Sequence, residues 1–152
     1  MASWSEFAAA APEIAAEGRR LLYRQGSGQA LLATVRGEDA PRIHPITVGV
    51  VGDRLCAFIL HSPKRRDLEV DGRYALHTLQ DPDAPSEFSV RGRAVVVGDA
   101  DLRSTAAAEW PFTADETYAL FEFPIESALL GIRPTADDWP PIYQSWTAAG
   151  TP

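Results

Sequence analysis

Residues 41–78 contain the pattern that most constrains how this chain folds. Two apolar, extended segments, residues 42–51 and 55–60, are separated by the pair Gly52-Asp53. Such a pair is typical of a tight hairpin turn, because glycine adopts a positive φ at no steric cost. A helix is predicted from Ser62 to about residue 70, and residues 74–79 are predicted to form a further strand. Strands that return through hairpins pair antiparallel, so the stretch predicts an antiparallel sheet with one inserted helix.

The start of that helix predicts an anion site. Ser62 suits the N-cap and Pro63 suits the first helical position, where no backbone N–H is required. The three basic residues 64–66 follow at the helix end that already carries positive charge, which costs about a few tenths of a kcal/mol each. A phosphate bound to the free N–H groups removes this mismatch. The alternative stays open that the carboxylates among residues 67–71 neutralise the three cations on a solvated surface.

Composition narrows the possible partners and the compartment. The chain has 152 residues and a net charge of −7, which argues against a nucleic-acid partner because such a partner requires a basic face. No apolar run is long enough to cross a bilayer, and no secretory signal is seen, so no membrane partner is expected. The single cysteine, Cys56, cannot form an internal disulfide and is expected to be a small core residue. These features predict a cytoplasmic protein.

The remaining patterns predict one domain over residues 1–152, with a helical segment over about 4–25 and a barrel over about 30–132. Ser3 and Glu6 have the spacing of a capping box. Further strands are expected over residues 30–35 and 87–98, with Gly92 marking a bulge or a close approach of another group, and over residues 118–132, interrupted at Pro124. A helix is expected over residues 101–109. The tail, residues 133–152, is rich in proline and aromatic residues and is expected to pack on a surface, such as that of a second subunit. Six or so hairpin-linked strands with two to four helices predict an antiparallel barrel with helices at its ends.

Six short segments follow one another along the chain: ALLATV, PRIHPITV, LCAFI, SPKRRDL, DGRYALHT and EFSVRGRA. In that order the sequence resembles the pyridoxamine 5′-phosphate oxidase-like family of flavin-binding split barrels, over about residues 30–97. The resemblance implies a mainly β (α+β) fold, an antiparallel split β-barrel with a few covering helices. It also implies a homodimer with two cofactor sites at the subunit interface.

The resemblance further implies which residues bind the cofactor. One strand would line the flavin, a second would lie beside its ring and ribityl chain, and the helix start would hold its phosphate. Glu87 stands where the oxidase has a glutamine that contacts the flavin, and Pro63 replaces a basic residue. The residues so implied are Arg42, Ile43, His44 and Pro45 on the first strand, Phe58 and Ile59 on the second, Ser62, Lys64 and Arg65 at the helix, and Glu87.

The function that this resemblance implies is an FMN-dependent oxidoreductase that acts on an unknown small molecule. The oxidase's C-terminal arginine has no counterpart after Trp146, which argues against pyridoxamine phosphate as the substrate. The alternatives are a reductase that uses the deazaflavin coenzyme F-420, a non-catalytic protein that binds a flavin or haem, and a structural domain with an empty site. No catalytic acid or base is identified, although Arg42 and His44 are candidates beside the ring.

No metal site is expected. His44, His61 and His77 are too far apart in sequence to form a compact ligand motif, and Cys56 is the only thiol. Hydrolase, NTPase and Rossmann motifs are also missing from the sequence.

Overall fold

A computed structural model describes residues 1–150. Within this range the chain forms four helices and nine strands. The helices are α1 (Trp4–Ala10), α2 (Pro12–Leu22), α3 (Pro63–Val70) and α4 (Ala100–Glu109). The strands are β1 (Gly28–Thr34), β2 (Arg42–Val51), β3 (Arg54–Ile59), β4 (Arg73–Thr78), β5 (Glu87–Arg93), β6 (Val95–Val96), β7 (Ala119–Glu122), β8 (Ile125–Ile132) and β9 (Ile142–Thr147). No helix in the described range is both long and apolar enough to span a membrane.

The strands form one curled sheet in the order β6-β7-β3-β2-β1-β4-β5-β8-β9. Every neighbouring pair is antiparallel. Gly52 turns the β2–β3 hairpin with a φ of 59°, as its sequence context predicts. The predicted fold class, mainly β (α+β) with an antiparallel split barrel and a few covering helices, is confirmed.

The sheet divides between β2 and β3. Residues 42–48 of β2 pair with β1, whereas only residues 49–51 pair with β3. The last part of β3, residues 56–59, pairs with β7 on its other side. The first part of β2 and the end of β3 therefore diverge, and α3 follows the diverging end of β3. This opening is called the split below.

The core lies on the inner face of the curled sheet and is closed by the N-terminal helices. Phe7 on α1 is fully buried, with ring centroids 6.4 Å from Phe88 and 5.1 Å from Trp146. A second cluster under α4 includes Cys56, which is also fully buried. Burial raises the pKa of the Cys56 thiol to about 12, so the residue acts as a small core side chain, as expected.

Local signals in the sequence are found where they were predicted. The capping box joins Ser3 and Glu6 through both of its hydrogen bonds. The register of β5 with β8 shifts between Arg91 and Gly92, which confirms the bulge. A Cβ at Gly92 would lie 2.1 Å from the carbonyl oxygen of Pro124, so only glycine permits this close approach of the two backbones.

The tail differs from the sequence interpretation. Residues 142–147 form β9, an edge strand that pairs with β8, so the sheet extends beyond the predicted barrel limit of about residue 132. Trp146 packs inward on Phe7, whereas Ile142 and Tyr143 of the same strand are 70% and 53% exposed. The predicted long strand 87–98 is also divided, into β5 and β6. The last two residues of the predicted tail, 151 and 152, lie outside the described residues.

Candidate functional site

The start of α3 lies at the split. The Ser62 hydroxyl accepts from the backbone N–H of Arg65 at 3.4 Å and donates to the carbonyl of Leu60 at 2.9 Å, so the predicted N-cap is present. The backbone N–H of Lys64 has no acceptor among residues 1–150. One free N–H therefore remains in the first turn of the helix, as an anion site requires.

Lys64 spans the split. Its Nζ donates to the carbonyl of Pro45 on β2 at 3.2 Å, and partial burial lowers the pKa of its ammonium group. Lys64 is also the only lysine in the sequence, where the other thirteen basic residues are arginines. The ammonium group is a compact point charge with three donors, and only one of them is bound to Pro45. The other donors can bind a phosphate.

Arg65 is directed elsewhere. Its Nε donates to Glu69 at 2.8 Å and its guanidinium donates to the carbonyl of Thr117 at 3.3 Å. The i,i+4 pair with Glu69 is the local neutralisation that the sequence left open as an alternative. Lys64, rather than Ser62 or Arg65, therefore has side-chain donors left to face a ligand.

A buried carboxylate joins α3 to β1 and β2. Asp67 is 1% exposed and accepts from Arg42 at 3.0 Å and from the Thr34 hydroxyl at 2.9 Å. The Thr34 oxygen in turn lies 3.2 Å from Nε2 of His44. The structure thus places Arg42 and His44 in one polar cluster next to Lys64.

Sequence reasoning did not find two members of this cluster. The sequence pattern predicts only a local neutralising role for Asp67 and gives no role to Thr34. A signal for Thr34 exists in the strand alternation, since it shares the inner face of β1 with the buried Ala30 and Leu32. The contact between Thr34 and Asp67 joins residues 33 positions apart, which no local pattern reveals.

The surroundings of His44 favour its neutral form. Burial lowers the pKa of the imidazole first, Lys64 and then Arg42 lower it further, and the Asp67 carboxylate partly opposes them. Because the ordinary pKa of histidine is about 6.5, a lowered value leaves the ring uncharged at neutral pH.

The four residues predicted to line a flavin along β2 divide between two faces of the sheet. Arg42 and His44 point to the inner face, whereas Ile43 and Pro45 are exposed on the outer face. Ile43 is 70% exposed. The polar pair and the apolar pair therefore lie on opposite sides of the sheet.

Phe58 and Ile59 on β3 have buried side chains. They are 4% and 1% exposed, and the Phe58 ring packs edge-on against Trp110 at 5.1 Å. Their side chains are therefore not available at the split. Sequence alternation alone did not indicate this, because the whole of β3 is apolar.

Glu87 lies apart from the cluster. It begins β5, three strand positions from β2, which corresponds to a separation on the order of 14 Å. Its carboxylate lies 3.6 Å from Nε2 of His77, and burial together with a hydrogen bond to Glu87 raises the pKa of Tyr143. One chain does not bring Glu87 next to Lys64.

The outer face of the sheet carries exposed apolar side chains and an open cleft. Leu31 and Leu129 are 38% and 37% exposed on this face, in addition to Ile43. A cleft of about 330 Å³ runs across β5, β8 and β9. Among residues 1–150, no group of three or more histidine, cysteine, aspartate or glutamate side chains is arranged to hold a metal ion.

No protein-family model and no curated protein matches the sequence. Solved structures do match in fold. A haem-binding protein from Mycobacterium smegmatis is 17% identical with a TM-score of 0.63, over 87% of this chain and 57% of the other. The haem storage protein HutZ from Vibrio cholerae is 18% identical with a TM-score of 0.61, over 82% of this chain and 95% of the other.

A third match is a protein from Clostridium acetobutylicum related to general stress protein 26 and described as belonging to the pyridoxinephosphate oxidase family. It is 12% identical with a TM-score of 0.59, over 86% of this chain and 95% of the other. This chain spans little more than half the length of the mycobacterial protein. The three matches identify the fold as the split barrel of pyridoxamine 5′-phosphate oxidase-like proteins, as the sequence resemblance implies.

Proposed function

We propose that this protein binds FMN through its phosphate at the split and acts as an oxidoreductase on a small organic molecule. The observation that carries the proposal is the start of α3, where the Lys64 side chain reaches β2 and the Lys64 backbone N–H has no acceptor among residues 1–150. The deazaflavin coenzyme is the alternative cofactor, because its phosphate would bind the same ammonium and N–H groups. When bound, the flavin supplies the redox chemistry and the protein supplies binding and orientation.

The residues of the split have separate roles in this proposal. Lys64 and the helix N-terminus bind the phosphate, with Ser62 fixing the geometry of the first turn. The edge of β2 and the backbone at Phe58 and Ile59 flank the remainder of the cofactor. Arg42 is bound to Asp67, so its role is to hold β2 against α3 rather than to bind the phosphate directly.

Lys64→Ala is expected to weaken FMN binding roughly ten- to a hundredfold, the loss that follows removal of one charge-assisted hydrogen bond. The measurement is quenching of flavin fluorescence on titration with the protein. Arg66→Ala is the matched control, because Arg66 is exposed on the same helix and its removal changes the net charge equally. Equal affinity of wild type and Lys64→Ala contradicts the phosphate assignment.

Haem binding is the second candidate, favoured by the similarity to the mycobacterial and Vibrio structures. The absorption spectrum distinguishes the two candidates. Uptake of FMN with a bound-flavin spectrum supports the first, and a Soret band on addition of haem without FMN uptake supports the second. Reduction of the bound flavin by NAD(P)H separates an oxidoreductase from a protein that only stores the cofactor, and uptake of the deazaflavin alone indicates the alternative cofactor.

We propose that two copies pair through the outer face of the sheet. Exposed apolar side chains on this face favour burial. Pairing would also account for Glu87, which is too far from Lys64 within one chain to share a site with it.

Ile43→Asp is expected to raise the dissociation constant of such a dimer by about tenfold or more, since an unpaired carboxylate is costly to bury. Analytical ultracentrifugation over a range of protein concentrations measures it. The control is Val96→Asp, which introduces the same charge at an exposed position of the edge strand β6. A wild-type protein that remains monomeric at all concentrations rules out this pairing.

A further inference from the structure

The hydrogen bonds of the polar cluster determine which nitrogen of His44 carries the proton. The Asp67 carboxylate only accepts hydrogen bonds, so the single hydroxyl proton of Thr34 is directed at it, over 2.9 Å. The Thr34 oxygen is then left as an acceptor toward Nε2 of His44, at 3.2 Å. Nε2 must therefore be the protonated nitrogen.

We infer that Asp67 and Thr34 are positioning residues that hold neutral His44 in its Nε2–H form and present Nδ1 as a hydrogen-bond acceptor at the split. Nδ1 has no partner among residues 1–150. The only fully buried side-chain nitrogen or oxygen without a partner in that range is Nε1 of Trp110, so Nδ1 of His44 is in contact with solvent. Nδ1 accepts a hydrogen bond from a donor on the ligand, either a hydroxyl or a ring N–H. This ligand step rests on the function proposed above.

The charges around the ring support the neutral form. Lys64 and Arg42 face His44 as cations, and Asp67 is the anion that faces it. Asp67 is already bound to Arg42 and lies 3.9 Å from Arg36. A proton on Nδ1 would add a further positive charge to a cluster in which cations already outnumber the carboxylate.

A second histidine provides an internal reference. Nδ1 of His77 lies 2.7 Å from the carbonyl oxygen of Thr78, which can only accept. His77 therefore carries a proton on Nδ1, and its Nε2 lies 3.6 Å from the Glu87 carboxylate. The third histidine, His61, is exposed and serves as a solvent-averaged signal.

The test is a two-bond ¹H–¹⁵N spectrum of the imidazole rings in protein labelled at histidine, recorded at neutral pH. Loss of one signal in His44→Gln assigns that residue. His44 is expected as Nε2–H and His77 as Nδ1–H. Thr34→Val removes the acceptor with little change in shape and is expected to convert His44 to a mixture of tautomers, with His77 unchanged. Thr34→Ser is expected to restore the wild-type spectrum.

Two results overturn the inference: wild-type His44 protonated on Nδ1, and a Thr34→Val spectrum identical to wild type. The wild-type spectrum decides the tautomer even if Thr34→Val does not fold. Titration of FMN into the same sample tests the ligand step, since a bond to Nδ1 shifts its resonance. FMN that binds with no such shift refutes the ligand step alone. Absence of FMN binding refutes the proposed function, while the tautomer is decided independently.

Discussion

Replacing Phe7 by alanine is expected to lower the free energy of unfolding by about 3–5 kcal/mol, the usual cost of truncating a buried phenylalanine. Phe7 is fully buried, and its ring lies 5.5 Å from Trp4, 6.4 Å from Phe88 and 5.1 Å from Trp146. These contacts join α1, β5 and β9. The cavity left by the ring cannot close by movement of one element alone, because three elements surround it.

Urea unfolding followed by tryptophan fluorescence measures this loss. Phe112→Ala is the control, because Phe112 is 38% exposed and its aromatic neighbours, Trp110 and Tyr118, lie outside the cluster that surrounds Phe7. We expect it to cost less than about 1.5 kcal/mol, as an incompletely buried ring contributes less. Equal losses in the two variants would show that the N-terminal helix is not part of the main core.

Asp67→Ala is expected to cost about 3 kcal/mol, since it leaves the buried Thr34 hydroxyl and the Arg42 guanidinium without their acceptor. Asp67 is 1% exposed and its neighbour Leu68 is 3% exposed, so water does not readily replace the missing carboxylate. The Arg42 side chain is 39% exposed and can be hydrated, which keeps the loss at the lower end of the range for a broken buried pair.

The matched control for Asp67→Ala is Glu69→Ala on the same helix. Glu69 pairs with Arg65 at the surface, and such pairs are worth about 0.5 kcal/mol. Thermal and urea unfolding of both variants give the comparison. Similar losses for the two carboxylates would mean that the Asp67 cluster does not stabilise the junction of α3 with the sheet.

Local signals in the sequence predicted most of the fold. The Gly52 turn, the Ser3 and Ser62 caps and the Gly92 bulge each depend on residues within a few positions of one another. Strand β9 was missed because the pattern IYQSWT is short and follows the pair Pro140-Pro141. Prolines and acidic residues next to a strand are typical of a loop.

The candidate site was predictable only in part. Ser62 and Lys64 follow from the helix start, and the competing role of Arg65 follows from its spacing to Glu69. The importance of Asp67 does not follow from sequence, because its partner Arg42 is 25 positions away and Thr34 is 33 positions away. Whether a carboxylate near a helix start is solvated or buried is decided by which strands the helix packs on.

The single lysine has a consequence for local stability. A protease that cuts only after lysine has one cleavage site in this chain, at the first turn of α3. Cutting there requires α3 to detach from the edge of β2, so the cleavage rate reports how often this junction opens while the remainder of the sheet stays folded. Cleavage after Lys64 thus measures local opening at the split. A ligand that binds there is expected to lower the cleavage rate as its occupancy rises.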